Sequence, residues 1–466
     1  MLTRLRVQGF KSLRDLTIGF GPFTCIAGLN ATGKSNLFDA IRFLHLLTQK
    51  PIMEAVASLR HAGGRAPAPE ELFTRFGTFR APEMRFTADL VVERKVEDEF
   101  GVSAVAAIST LRYEVAFHMG GGERGVLELA HESLEPIKLG DARKALGFPH
   151  TREFRESVVS GRRTTSFIST SGPEEGRTVT VHQEGHGGRT LPAPRSTRTV
   201  AGGLASSDFP TVLAANREMA SWKTLMLEPS AMRTPSAYRD PRHIDSRGAH
   251  VPNAVFRLIK GEAREGVVRA EIANRLSKLV EDVSDVRIDE DDRSETRTLA
   301  MKGGDGIFHP AHALSDGTLR FLVLTVLDLD PQARGLICME EPENGIHPER
   351  IPTIVELLKD IAVDPECAVD ESNPLRQVVI NTHSPLVVQN VPVDDLVYLQ
   401  QERQKVDGST GAVTTAFVPP GSWRAADGDA GQLVPGQILS YLGRGRPRQE
   451  GGQYVLEWAE SKLGAP

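Results

Sequence analysis

Residues Gly28-Leu29-Asn30-Ala31-Thr32-Gly33-Lys34-Ser35 have the composition of a phosphate cradle. Their glycines let backbone N–H groups turn toward phosphate oxygens. Lys34 brings a cation to the β and γ phosphates of a nucleotide, and the Ser35 hydroxyl can ligate Mg²⁺. The run matches the P-loop pattern in full, which makes Gly28, Asn30, Gly33, Lys34 and Ser35 candidate ATP contacts. A second set lies far along the chain, in Ile337-Cys338-Met339-Glu340-Glu341-Pro342-Glu343. An apolar run ending in adjacent carboxylates is costly to bury unless a cation meets them. Glu340 is the candidate for the Mg²⁺ shell, and Glu341 for orienting or deprotonating an attacking water.

Two weaker signals flank the acids. Leu314-Ser315-Asp316-Gly317-Thr318 offers a hydroxyl and free N–H groups at a helix start, which suits a phosphate and equally suits an ordinary N-cap. Asn381-Thr382-His383-Ser384 places a histidine after an apolar run. Ser315 precedes Glu341 by 26 residues, and His383 follows it by 42.

These residues need elements to hold them. Leu2 to Phe10 alternates apolar and polar residues, as a half-buried strand does. Phe23 to Ala27 is a short apolar strand before the glycine loop, and Leu37, Ile41, Leu44 and Leu47 recur at helical spacing after it. From about Met84 to Leu134 the period is two, which predicts antiparallel strands. Val158 to Ser207, rich in Gly, Ser, Thr and Arg, predicts hairpins and long loops. A helix is expected from about Gly266 to Val283. Beyond Val286, loop–helix, apolar strand, amphipathic helix and apolar strand follow in turn, the pattern of a parallel α/β sheet.

The whole set, with a long insertion between P-loop and signature, resembles the ABC ATPase superfamily, and within it the branch of RecF, structural-maintenance-of-chromosomes (SMC) heads and OLD-type ATPases. Gly9-Phe10-Lys11-Ser12-Leu13, Asn36 after the P-loop, and Glu340 to Pro348 carry the narrower likeness, over about residues 1–50 and 305–400. The resemblance implies a P-loop ABC-type ATPase head with a mainly parallel sheet, an antiparallel β lobe and an inserted α/β lobe. It implies that Ser315 and Gly317 contact nucleotide on a second copy of the head, with Asn344 to His347 as the loop across that dimer. Glu341 would be the catalytic base, His383 the sensor of the γ-phosphate, and Lys11 and Asn36 further contacts. The expected division is 1–83 and 286–418 for the two parts of the head, 84–208 for a β-rich insertion, 209–285 for a helical lobe and 419–466 for a tail. No glutamine lies between Gln49 and Gln183, so a Q-loop is missing from its usual place: either another residue takes that role, near Thr74-Arg75-Phe76-Gly77, or the Q-loop sits in an unusual place.

Composition narrows the role. Three cysteines with no CxxC, no apolar leader and no apolar run near 20 residues point to a cytoplasmic protein with no membrane span. Ser-Asp-Gly-Thr in the signature argues against a transporter subunit, and no sustained heptads predict an SMC arm. An OLD-type nuclease needs a Toprim metal site, for which only Asp394-Asp395 is at hand. The expected function is an ATPase working on DNA or on a separate effector protein, in repair or anti-phage defence, the alternatives being an OLD-type ATPase-nuclease or a regulatory ATPase subunit without direct DNA contact. Residues 142–200 carry ten Lys and Arg against five Asp and Glu, including Arg143, Lys144, Arg162, Arg163, Arg195 and Arg198, a candidate phosphate-tracking surface for DNA.

Overall fold

The computed structural model describes residues 1–442, apart from 61–65, 122–124, 142–144, 183, 185–186, 205, 261–264, 278–282 and 427. The elements used below run, in chain order, β1 Leu2–Phe10, β2 Leu13–Gly19, β3 Phe23–Ala27 and α1 Lys34–Gln49. Next come β4 Glu83–Val91, β5 Thr110–Met119, β6 Leu127–Pro136, β7 Ile168–Ser171, β8 Thr178–Val181 and β9 Arg189–Pro192. The middle holds α2 Val200–Gly203, α3 Pro210–Ala220, β10 Lys223–Leu225, α4 Pro229–Arg233, α5 Val251–Lys260 and α6 Glu265–Ser277. The last third holds β11 Asp285–Asp291, β12 Thr296–Lys302, α7 Asp316–Leu329, β13 Gly335–Glu340, α8 Ile351–Ile361, β14 Arg376–Thr382, α9 Pro385–Asn390, β15 Leu396–Val406, β16 Ser409–Val418 and β17 Gly431–Gln432.

Short apolar runs with little alternation build the central sheet, ordered β10-β13-β14-β3-β15-β16-β17. Neighbours from β10 to β15 are parallel, and β15–β16 is an antiparallel hairpin. Such strands are covered on both faces. Ile26, Cys338 and Val379 join one core, while Cys25, Ile337, Met339, Val378 and Ile380 join the other. α1 and α3 pack on the first face, and α7 and α8 on the second.

The alternating strands build an antiparallel sheet, ordered β9-β8-β7-β6-β5-β4-β1-β2. α1 lies between the two sheets. Phe43 on α1 sits 5.6 Å from Phe86 and 5.7 Å from Phe117, ring centre to ring centre, and Phe86 is 5.3 Å from Phe10. Burying rings this size drives docking of α1, each contributing about 1.5–3 kcal/mol. A third, smaller sheet pairs β11 with β12.

Several sequence expectations change here. The antiparallel sheet includes β1 and β2, so it runs across the division expected at residues 83 and 84. The Val158–Ser207 stretch does form hairpins, and they are built into that sheet as its last three strands, because Val179, Val181 and Ile168 alternate into the core. The helix expected from Gly266 to Val283 is described as Glu265–Ser277, and residues 278–282 lie outside the described set. The segment expected as a tail is built into the head as far as Leu442. β17 pairs with β16, and the buried Arg424 bonds the Gly19 and Asp394 carbonyls and Thr24 Oγ1. Those partners are distant in sequence, so composition could not show them. Among the described residues, no helix is long and apolar enough to cross a membrane.

Candidate functional site

Strand order brings the chemistry together. β13, β14 and β3 are adjacent, with Glu340 level with Asn381, and Thr382 level with Ala27. The glycine loop, the acidic loop and the histidine loop therefore leave the same edge of the sheet, the carboxyl ends of parallel strands, where open α/β sheets bind ligands.

The glycine loop runs directly into α1. Gly33 is its N-cap at φ 98°, and no side chain caps the helix or places an acid in its first turn. Its first N–H groups are thus left for an anion. Glycine is required at both ends of the loop. A Cβ on Gly28 would lie 2.5 Å from the Leu399 carbonyl oxygen, and one on Gly33 would collide with Thr414 Oγ1. Lys34 is buried and donates to the carbonyls of Gly28 and Leu29, both at 2.8 Å. Burial lowers its pKa, opposed by the charges of Glu341 and Glu343. Asn30 and Ser35 are exposed at the loop and at the first turn of α1.

Glu341 is the most constrained of the acids. Its N–H donates to Asn381, to the backbone oxygen at 3.0 Å and to Oδ1 at 3.1 Å. Asn344 Nδ2 donates to one carboxylate oxygen at 2.8 Å, and His383 Nδ1 lies 2.7 Å from the other. Burial works against its charge, but these two partners and Lys34 outweigh it and hold the carboxyl below its usual range. Glu341 (φ 45°), Ala31 (φ 63°) and Lys11 (φ 48°) are non-glycine residues in the left-handed region, and all three sit around this site. Strain of about 1 kcal/mol or more at each needs a surrounding structure that imposes it.

The other expected contact residues have protein partners or are exposed. Lys11 Nζ meets Asp39 Oδ2 at 2.7 Å, and Asn36 Nδ2 donates to Ser12 Oγ at 2.8 Å. Asn36 thereby ties the Phe10-Lys11-Ser12 turn to α1. Glu340 meets the guanidinium of Arg60 at 2.5 Å. In the Thr74–Gly77 turn, Gly77 abuts Ser409, and Phe76 lies over Gly411, against the β15–β16 hairpin. Its apolar Phe76 takes that surface, and Arg60 is the residue that reaches the acids. Ser315 is the N-cap of α7, its Oγ accepting from Thr318 N at 3.1 Å, and it is exposed. A Cβ on Gly317 would lie 3.4 Å from the Gly345 carbonyl oxygen, so signature and acidic-loop end adjoin. Arg233 on α4 holds the signature by the Leu314 carbonyl (2.8 Å) and Asp316 (2.5 Å).

Sequence reading missed Asp39, Arg60, Glu343, Thr382, Gln401 and Thr414. Gln401 donates to the Ala31 carbonyl at 2.6 Å, and Thr414 Oγ1 is 2.7 Å from Ser12 Oγ, so the β15–β16 hairpin braces the glycine loop. Glu343 and Thr382 lie inside the acidic and histidine motifs without their roles being legible there, and no local motif marks Asp39, Arg60, Gln401 or Thr414. The basic stretch divides likewise. Arg198 donates to the Gln49 carbonyl at the end of α1, and Arg163 stacks on Phe167, 4.4 Å to the ring centre. Arg162 and Arg195 are exposed, and Arg143 and Lys144 lie outside the described residues. Asp394 and Asp395 form a turn before β15, where burial raises Asp395 to about 6 and Lys359 stands 3.9 Å away.

Residues 223–389 match the family described as AAA domain, putative AbiEii toxin, Type IV TA system, and residues 4–57 match one described as AAA domain. The first segment holds the signature, acidic loop and His383; the second holds the P-loop. Two segments of the chain thus match AAA-domain family models. Among solved structures, an SMC head bound to the C-winged helix domain of ScpA is similar over 89% of this chain and 97% of its own, at 13% identity and a TM-score of 0.45. The SMC head domain from Thermotoga maritima covers 88% of this chain and 98% of its own, at 13% identity and a TM-score of 0.35. At such TM-scores these likenesses carry no functional argument. No curated protein matches the sequence.

Proposed function

We propose that this chain binds ATP with Mg²⁺ at the Gly28–Ser35 loop, hydrolyses it, and closes over nucleotide with a second copy of itself. The observation that supports this best is the shared sheet edge. An uncapped helix N-terminus and a buried lysine face a carboxylate held charged by Asn344 and His383. The N–H groups of the glycine loop and Lys34 would bind the phosphates. The Ser35 hydroxyl and Glu340 would hold Mg²⁺. One hydroxyl and one carboxylate suit an ion that keeps several waters and takes phosphate oxygens as further ligands. When bound, Mg²⁺ neutralises charge developing on the phosphoryl oxygens. Glu341, fixed at both oxygens, orients the attacking water and accepts its proton, and His383 reports on the γ-phosphate through the same carboxylate. Ser315 and Gly317, exposed or half-exposed at the mouth of α7, would meet nucleotide on the partner copy. Closure would be passed to DNA or to an effector protein.

Lys34→Ala should abolish nucleotide binding, and Glu341→Gln should keep binding and lose turnover by about 100-fold or more. Equilibrium binding of a fluorescent ATP analogue and steady-state phosphate release measure the two separately. Near-normal turnover in Glu341→Gln overturns the assignment of Glu341.

A further inference from the structure

Arg60 stands at the centre of a compact charge chain. Its Nη1 is 2.5 Å from Glu340 Oε1, and its Nε donates to Asp39 Oδ1 at 3.1 Å. Asp39 is also paired with Lys11 at 2.7 Å. The side chains of Glu340 and Asp39 are only 17% and 5% exposed. A carboxylate so buried is costly without a counter-charge. The ion pair sets Arg60 against Oε1 of Glu340, the carboxylate that the proposed chemistry assigns to a metal, although the contact lacks hydrogen-bond geometry. The guanidinium also has capacity to spare, because its Nη2 is buried with no hydrogen-bond partner among the described residues. Half-buried Arg42 adds a third cation to the same neighbourhood, beside Asp39 and Glu340. Three cations thus face two carboxylates. Arg60 lies in the loop after the Ile52–Ala57 helix, so its side chain can shift without breaking a helix or strand, while Asp39 stays on α1 as its second anchor.

We propose that Arg60 is the resident counter-ion of Glu340, masking that carboxylate until nucleotide arrives. The inference rests on the reading of Glu340 as a metal carboxylate. Arg60 must give up Glu340 before that side chain can ligate a divalent cation. Giving it up is unfavourable for free cations alone. It becomes favourable when the phosphates of a nucleotide offer the guanidinium a new anion and offer the cation further oxygen ligands. Metal and nucleotide are therefore admitted together, and a bare divalent cation is kept out. Reciprocity follows: any change that removes the mask tightens metal binding to the nucleotide-free protein.

The test uses the full chain, freed of nucleotide, with Mn²⁺ as the probe and free Mn²⁺ read by electron paramagnetic resonance. Wild-type protein should bind Mn²⁺ weakly. Arg60→Gln and Arg60→Ala should bind it about tenfold more tightly, and Arg60→Lys, which keeps a cation, should stay near wild type. Adding Glu340→Gln to Arg60→Gln should remove the gain. Thermal melts establish which variants are folded, and the Gln and Lys forms carry the comparison if the Ala form is not. Equal Mn²⁺ affinity in wild type and Arg60→Gln overturns the proposal, as does a gain that survives Glu340→Gln. Metal-free ATP-analogue binding runs in parallel. ATP binding lost only in Lys34→Ala, with no Mn²⁺ gain in Arg60→Gln, sinks the mask and leaves the nucleotide site standing. No ATP binding even in wild type sinks the nucleotide site, and the Mn²⁺ comparison still judges Arg60.

Discussion

Glu343 shows how one side chain can matter without touching substrate. It is buried beneath the acidic loop, and Thr382 Oγ1 donates to its Oε1 at 2.5 Å. The same hydroxyl accepts from Ser384 N at 2.9 Å, so Glu343 and Thr382 together grip the loop that presents His383. Burial raises the Glu343 carboxyl above its ordinary range, although the Thr382 bond favours its ionised form. Glu343 is therefore a positioning residue. Glu343→Gln keeps an acceptor for Thr382 and should stay within a fewfold of wild-type turnover. Glu343→Ala removes the grip and should lower turnover by about 10–100-fold, the range seen when supporting partners are lost. The Ala variant should also shift the pH profile of kcat, because His383 is then less firmly held against Glu341. A purely structural role would lower Tm and leave that profile in place.

At the scale of elements, α1 is clamped at its far end as well as at the glycine loop. Glu132 on β6 is fully buried and accepts from Val200 N at 2.6 Å and Ala201 N at 2.7 Å, at the start of α2. Tyr113 OH donates to it at 3.1 Å. α2 in turn reaches α1, since Thr199 Oγ1 donates to the Leu47 carbonyl at 3.3 Å, and Asn216 on α3 joins the Thr48 and Ala201 carbonyls. Burial lifts the Glu132 carboxyl to about 7 against its three donors. The native state then holds this proton more tightly than the unfolded chain does, so the contribution of Glu132 to stability falls as pH rises from about 4.5 through 7. Glu132→Gln removes that dependence. Relative to wild type, the variant should gain about 2 kcal/mol between pH 5.5 and pH 8. Urea unfolding at the two pH values measures it, and a pH-independent difference between the proteins rejects the raised carboxyl.

At the scale of the molecule, the proposed function has one chain carry two different half-sites. Glycine loop, acids and His383 share one sheet edge. Ser315 is exposed at the start of α7, with Arg233 fixing the loop before it and Gly345 beside Gly317. The segment from β10 to α4 spans the two. Met226 Sδ is 3.8 Å from Arg60 Nη1, the Leu227 carbonyl accepts from Arg320 of α7 at 3.0 Å, and Arg233 follows. On the proposal for Arg60, its shift would reach the signature through the Met226 contact, the chain from 226 to 233 and the Arg233 hydrogen bonds. Ser315→Arg should leave ATP binding within about twofold and abolish turnover, because closure with the partner is blocked. Mixing it with inactive Lys34→Ala heads should restore part of the activity, since one complete composite site can form. Normal turnover by Ser315→Arg at every protein concentration rejects closure through this face.

The amino-acid sequence by itself determined what depends on neighbours along the chain. The glycine loop, the strand before it and the helix after it are contiguous, so their residue types specify a phosphate cradle directly. The apolar run into Glu340 and Glu341, and the period-two strands from Met84 onward, were legible for the same reason: local periodicity reports burial. Tertiary structure decided what depends on strand order and register. Glu341 meets His383 only because β13 and β14 are neighbours, and Thr414 meets Ser12 only because the β15–β16 hairpin folds over the glycine loop. The pairings of Arg60 with Glu340 and of Glu132 with α2 join residues far apart in the chain, and no spacing rule relates them. A buried charge chooses its partner by distance in space, which a one-dimensional pattern does not contain.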